Sequence, residues 1–240
     1  MLPSIRIPKS EFAARALALR DHLAQHDLSG AVLYDATTIL YYCDFAFIPT
    51  ERPIALALNT QGESALLVPR LELEHAQGEA LVDRVAAYPE YPDDPHPMAL
   101  LKDLLADLGI QGKIGADDDG YPWILGYQGP SLSDLSGATV VPLRPFIEAQ
   151  MQVKSEAEVA LIRESARWGH LAHRLLQRYT RVGVTEVEAS QRAGHEATLA
   201  MLDTLGPLYR ARSAFSHGAS AGYRGQIGAG PTDRTRSPTR

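Results

Sequence analysis

Residues 151–163, MQVKSEAEVALIR, constrain the fold of this chain more than any other stretch. Ser155 stands three positions before Glu158. At that spacing a serine hydroxyl accepts the N–H of the third helical residue, while the glutamate carboxylate accepts the serine's own N–H. A helix therefore starts here, and little in the several dozen residues before it reads as strongly helical. The stretch is a seam between a finished domain and the beginning of a second one. The expected organisation is one domain over residues 1–150, the start of another over 151–227, and a tail over 228–240.

The residues ahead of the seam alternate between strand and helix patterns. Ser10 opens an amphipathic segment in which Phe12, Leu17, Leu19 and Leu23 fall at near-helical spacing. AVLY, after Gly30, suits a buried strand, and Asp35 is a good cap for a short helix over ATTILYYC. RPIALALN and ESALLVP read as a hairpin about Gln61 and Gly62. LELEHAQGEALV looks helical, DRVAAY is a strand ending at Pro89, and YPEYPDDPHP is an irregular, proline-rich loop. In MALLKDLLADLG, Leu100, Leu101, Leu104, Leu105 and Leu108 mark a buried stripe that Gly109 stops. KIGADDDG is strand and turn, residues 138–141 form a last strand, and a short helix leads to the seam. The pattern predicts an α/β layered domain of about 150 residues, large enough for its own core.

Past the seam, Leu161, Ser165, Trp168, Ala172, Leu175 and Tyr179 lie three or four apart on a helix expected to run to Gly183. Thr185 and Glu188 form a second capping box ahead of another helix, and LYRARSAF reads as a strand.

Composition excludes several functions. A net charge of −6 does not suit a general binder of nucleic acid or anionic membranes. Cys43 is the one cysteine, so neither an internal disulfide nor a cysteine-based zinc cage can form, and Tyr42 and Phe45 beside it point to a buried structural thiol. No stretch approaches roughly 20 apolar residues, and the first residues lack a signal peptide's apolar run. A cytoplasmic protein without a membrane partner is expected.

Motifs that carry chemistry are sparse. Asp117, Asp118 and Asp119 precede Gly120, but no further carboxylates follow at calcium-loop spacing, so the run reads as a solvated turn. His75 and His96 stand alone. His170 and His173, at i and i+3, are spaced to chelate from one helical face, but no third ligand joins them. His195 and Glu196 begin an HExxH pattern that Leu199 breaks. His217, in FSHGAS after the last predicted strand, is the functional candidate by position, with an exposed strand-end residue as the alternative.

Three stretches taken together resemble the pita-bread metallopeptidases, a family that includes Xaa-Pro dipeptidase (prolidase), aminopeptidase P and creatinase. They are residues 39–76, the seam and its helix over residues 152–174, and TEVEASQRAGHEATLAML over 185–202. The likeness extends to about Ile227. It implies a creatinase/prolidase-type N-terminal domain, a mixed sheet flanked by helices, followed by the incomplete start of an α+β pita-bread domain. The implied activity is hydrolysis of Xaa-Pro peptide bonds in proline-containing dipeptides or peptides. The chemistry would come from two divalent ions (Mn, Co or Zn) bridging a hydroxide, which lower its pKa and polarise the scissile carbonyl. Creatinase has the same fold without metal, so the fold alone does not fix the reaction.

The resemblance implies five metal ligands: two aspartates, a histidine and two glutamates. His217 falls too early for the family's upstream histidine and lacks the preceding proline. Asp233, in Asp233-Arg234-Thr235-Arg236, is similar to the step that carries the second aspartate, but no acid stands a strand's length before it. His217 and Asp233 are therefore the only candidates, and no ligand carries over. No metal is expected at a family site in this chain, and the chain is expected to be inactive. From Gly206 onward, six arginines face the single acid Asp233, and residues 228–240 hold no aliphatic side chain larger than alanine. Such a tail cannot form a core strand. A frameshift or premature stop near Ile227 accounts for it, as does a short protein with a disordered basic tail. A homodimer, or else a partly disordered second half, is expected, because the helices after the seam carry apolar faces at Trp168, Leu175 and Leu202. The alternative function is a non-catalytic module for dimerisation or peptide binding.

Overall fold

The structure, a computed structural model, describes residues 6–206. The strand expected over LYRARSAF, the tail, His217 and Asp233 lie outside the described residues. The chain divides into two compact units, one spanning Ile7–Lys154 and the other holding Arg6 and the described residues from Ser155 onward.

The first unit is built on β1 (Gly30–Leu33), β2 (Ala55–Asn59), β3 (Ser64–Pro69), β4 (Arg84–Tyr88), β5 (Lys113–Ala116) and β6 (Thr139–Pro142). Between them run α1 (Lys9–Gln25), α2 (Ala36–Cys43), α3 (Leu73–Glu79), α4 (Pro97–Asp107), α5 (Leu132–Ser136) and α6 (Arg144–Gln152). The expected mixed sheet flanked by helices is present, in the order β4-β3-β2-β1-β5-β6. β2 pairs antiparallel with both β1 and β3, whereas β3–β4, β1–β5 and β5–β6 are parallel.

Cross-strand pairs settle the two faces. Val32 opposes Ala57, which opposes Ala65, and Ala55 opposes Leu67. This face packs on Met98, Leu101, Leu104 and Leu105 of α4 and Leu132 of α5. The other face carries Leu33, Leu56 and Leu66 in register, and α1 lies over Leu56 and Leu58. β1, β2 and β3 are buried along their whole lengths, which is why they read as continuous apolar runs. The edge strands β4 and β6 are mostly exposed or half-buried.

Local chemistry fixes the connections. Asp35 accepts the N–H groups of Thr37 at 2.9 Å and Thr38 at 3.0 Å, as the sequence predicts for a cap of α2. In the β2–β3 hairpin Gly62 takes φ +117°, and Asn59 Oδ1 gathers the N–H groups of Gln61, Gly62 and Glu63 within 3.1 Å. Gly109 stops α4 with φ +68°.

Four expectations are corrected. Leu17 is 56% exposed; the buried stripe of α1 is Phe12, Arg15, Leu19 and Leu23. Arg15 takes an inward position because its guanidinium lies 4.0 Å from the Tyr41 ring centroid and bonds the Tyr41 carbonyl and Glu11, so its charge is paired inside. Asp117 is buried rather than in a solvated turn. The helix after the seam, α7 (Glu156–Tyr179), ends four residues before Gly183, and Gly183 belongs to the turn that follows.

The box at the seam forms as the sequence predicts. Ser155 Oγ accepts the Glu158 N–H at 3.1 Å, and the Glu158 carboxylate accepts the Ser155 N–H at 2.9 Å. The box expected at the start of α8 (Glu186–Leu205) is half made, which is the fourth correction. Thr185 Oγ1 accepts the Glu188 N–H at 3.2 Å, while the Glu188 carboxylate pairs with Arg192 at 2.9 Å, a full positive charge competing with a peptide N–H. Leu175 joins Ala172, Ala193 and Ala197 in the small core between α7 and α8, and Trp168 is buried with its indole N–H donating to Glu164 at 2.8 Å. No helix among the described residues is long and apolar enough to cross a membrane.

Candidate functional site

Polar groups converge where β1 and β5 end side by side. The chain leaves these parallel strands in opposite directions, β1 toward β2 and β5 toward β6. Such a divergence opens a crevice at the carboxyl ends of the strands. Asp117, the first residue after β5, turns into it and accepts the N–H of Tyr34 at 2.9 Å and of Asp35 at 3.0 Å, the two residues after β1. Asp35 in turn caps α2, so one carboxylate holds the strand end and another the helix start. Burial pushes Asp117 up to about 6, against the opposing pull of the two N–H donors.

The space around them is a hollow of about 190 Å³ bounded by Asp35, Thr38, Asp117, Arg144 and Ile147. Substrate pockets run from about 300 Å³ upward. This hollow therefore suits a few waters, not a dipeptide, and Asp117 serves there as a clasp with a proton affinity near neutrality.

The other sequence candidates disperse. His96 is an N-cap: its Nδ1 accepts the Met98 N–H at 3.1 Å, which leaves Nε2 to donate to the Gln128 carbonyl at 3.1 Å. His75 lies between Glu72 at 2.8 Å and Glu79 at 3.3 Å. His170 and His173 are exposed on α7. Glu196 accepts the Tyr179 hydroxyl and pairs with Arg178, so the broken HExxH pattern closes the α7–α8 hairpin. Cys43 is buried, its thiol pushed up to about 12 by burial and donating to the Ile39 carbonyl at 3.2 Å; it is no thiolate nucleophile. Among the described residues no three His, Cys, Asp or Glu side chains are grouped to hold a metal. The donor set for a dinuclear centre is not found among the described residues.

Sequence reasoning missed the clasp. Its signal was present: AVLY and KIGA are both short buried strands followed at once by an aspartate. Only the parallel pairing of the two strands shows that one aspartate serves the other strand's end.

The family described as the Creatinase/Prolidase N-terminal domain matches residues 15–153. An uncharacterized peptidase of Staphylococcus aureus is 24% identical over 168 residues, which make up 70% of this chain and 45% of that protein. The chain thus spans about half the length of the curated relatives it matches. Among solved structures, the Xaa-Pro dipeptidase from Bacillus anthracis superposes with a TM-score of 0.61 at 17% identity, over 78% of this chain and 49% of that one. Dipeptidase PepE from Mycobacterium ulcerans gives 0.60 at 24% identity, over 81% and 51%. The prolidase from Pyrococcus horikoshii OT3 gives 0.61 at 15% identity, over 78% and 49%. At these identities the likeness establishes the fold.

Proposed function

This chain belongs to the creatinase/prolidase N-terminal domain family, and from that premise we propose that it supplies the amino-terminal half of an Xaa-Pro peptidase of the dipeptidase or aminopeptidase type. The family match over residues 15–153 carries the reading. The covered half of each dipeptidase-like structure supports it, because the likeness runs beyond the first domain into the helices after Ser155. The substrate class is a proline-containing dipeptide or short peptide. The chemistry, in a protein that holds the full ligand set, is attack by a hydroxide bridged between two divalent cations.

The 240-residue chain is proposed to be inactive by itself. His217 and Asp233 amount to one imidazole and one carboxylate against a five-ligand cage, and the described residues group no others. Incubating the purified chain with an Xaa-Pro dipeptide and Mn²⁺ is expected to release no proline. Turnover that a chelator abolishes overturns the proposed inactivity. A homodimer remains part of this reading, and sedimentation showing a compact monomer removes it.

A further inference from the structure

A second cavity lies on the opposite side of the sheet from α4, away from the clasp. It is a groove of about 420 Å³ between α1 and residues 80–83, floored by Phe12, Leu56 and Leu58. It stays open because the side chains facing it across the gap are short: Ala13 and Ala16 on α1, and Ala80 opposite. Its volume is within the range of small-molecule sites and its floor is apolar.

Arg20 is among the lining residues. One of its terminal nitrogens donates to the Gly62 carbonyl at 2.5 Å, which fixes the guanidinium against the β2–β3 turn. Its Nε–H is buried and has no acceptor among the described residues. A buried donor without a partner is costly, more so on a charged group, and native structures rarely leave one unmatched. Asp83, the acid of the groove, is engaged: one of its oxygens accepts both the Ser64 N–H at 2.8 Å and the Ser64 hydroxyl at 2.7 Å. The groove therefore has an apolar floor, a fixed cation with a spare N–H, and no described carboxylate paired with that cation.

We propose that this groove binds a small amphipathic carboxylate, with the carboxylate on Arg20 and the aliphatic chain lying over Phe12, Leu56 and Leu58. The site is independent of the proposed peptidase reaction. A charged acceptor satisfies Nε–H better than water does, and the ligand's aliphatic chain gains by leaving water.

Hexanoate tests the site on the full chain, followed through backbone amide shifts. It is expected to bind saturably, perturbing Ala13, Ala16 and Gly62, while 1-hexanol binds at least about tenfold more weakly for want of the charge-assisted bond. Arg20→Met keeps the aliphatic stem, drops the donors, and is expected to lose about tenfold in hexanoate affinity. Ala16→Phe keeps the guanidinium, fills the groove, and is expected to lose both ligands. Equal binding of hexanoate and hexanol, unchanged affinity in Arg20→Met, or no saturation below about 10 mM overturns the proposal. If Arg20→Met does not fold, the ratio of hexanoate to hexanol on the unaltered chain decides.

Discussion

In the unit Ile7–Lys154 every layer contributes to the core: Val32 and Ala57 from the sheet, Met98, Leu101 and Leu105 from α4, Tyr88 and Tyr127 from the loops and strand ends. The α7–α8 hairpin instead closes on Ala172, Leu175, Ala193 and Ala197, with Leu171, Leu176 and Tyr179 packed around them. Three alanines let the two helices approach closely but bury little apolar surface, and apolar surface is what outweighs the entropy of ordering a chain. What the hairpin lacks in core it replaces with local devices: a capping box, a threonine cap, and Glu196 held by Tyr179 and Arg178. The sheet unit is held by contacts between residues far apart in sequence; the hairpin is held by one small buried cluster and by local bonds at its ends.

The largest effect expected from that difference is in the cores. Leu101 is fully buried, and Leu101→Ala should cost the sheet unit about 3–4 kcal/mol by urea unfolding. Leu175→Ala removes the one large aliphatic residue of the hairpin's buried cluster. It should free the α7 and α8 amides to exchange at nearly unprotected rates while those of β1 and β2 keep their protection. Joint loss of protection in both units removes the comparison.

Next in size is a pH effect confined to the sheet unit. Asp117 is raised from 3.8 to about 6 in the folded protein. A carboxylate with a raised folded pKa favours the folded state most when protonated, so its contribution is complete below about pH 4 and is lost as pH rises through about 6. Stability of the intact unit should therefore gain about 2–3 kcal/mol from this group between pH 7 and pH 4, relative to Asp117→Asn, which cannot titrate. Parallel pH profiles of the two proteins eliminate the buried carboxylate as the cause. Asp117 lies in the unit Ile7–Lys154, so the effect is to be read in the unfolding of that unit.

The smallest effect sharpens the contrast inside the hairpin itself. Ser155→Ala removes one cap bond and leaves its Glu158 partner without a template, for about 1 kcal/mol of α7 stability. Thr185→Ala breaks a single bond, because Glu188 is already drawn to Arg192. It should cost less than the serine does. Equal losses, read from helix content against temperature, show the second half of the box to be immaterial.

Much of this was legible beforehand because the governing signals are short in range. The Asp35 cap, the hairpin at Gly62, the α4 stripe and the box at Ser155 each span about a dozen residues or fewer, and each forms where the residues place it. Errors arose where a residue's partner is distant. Leu17 follows the helical spacing of its neighbours but faces solvent, while Arg15 turns inward, because the Tyr41 ring and carbonyl stand beside it. The acidic run looked solvated because nothing within ten residues of Asp117 reveals that β1 ends next to it.

By itself, then, the sequence determined the alternation of strands and helices and the capping box at Ser155, since caps, turns and apolar periodicity are local properties of the chain; the family followed from resemblance over longer stretches. Tertiary structure decided which strands are neighbours, that Asp117 is a buried clasp rather than an exposed turn, and that Arg20 keeps a spare donor over an open groove. Those outcomes depend on which distant backbone and side-chain groups meet, and burial and electrostatic environment follow from that meeting alone.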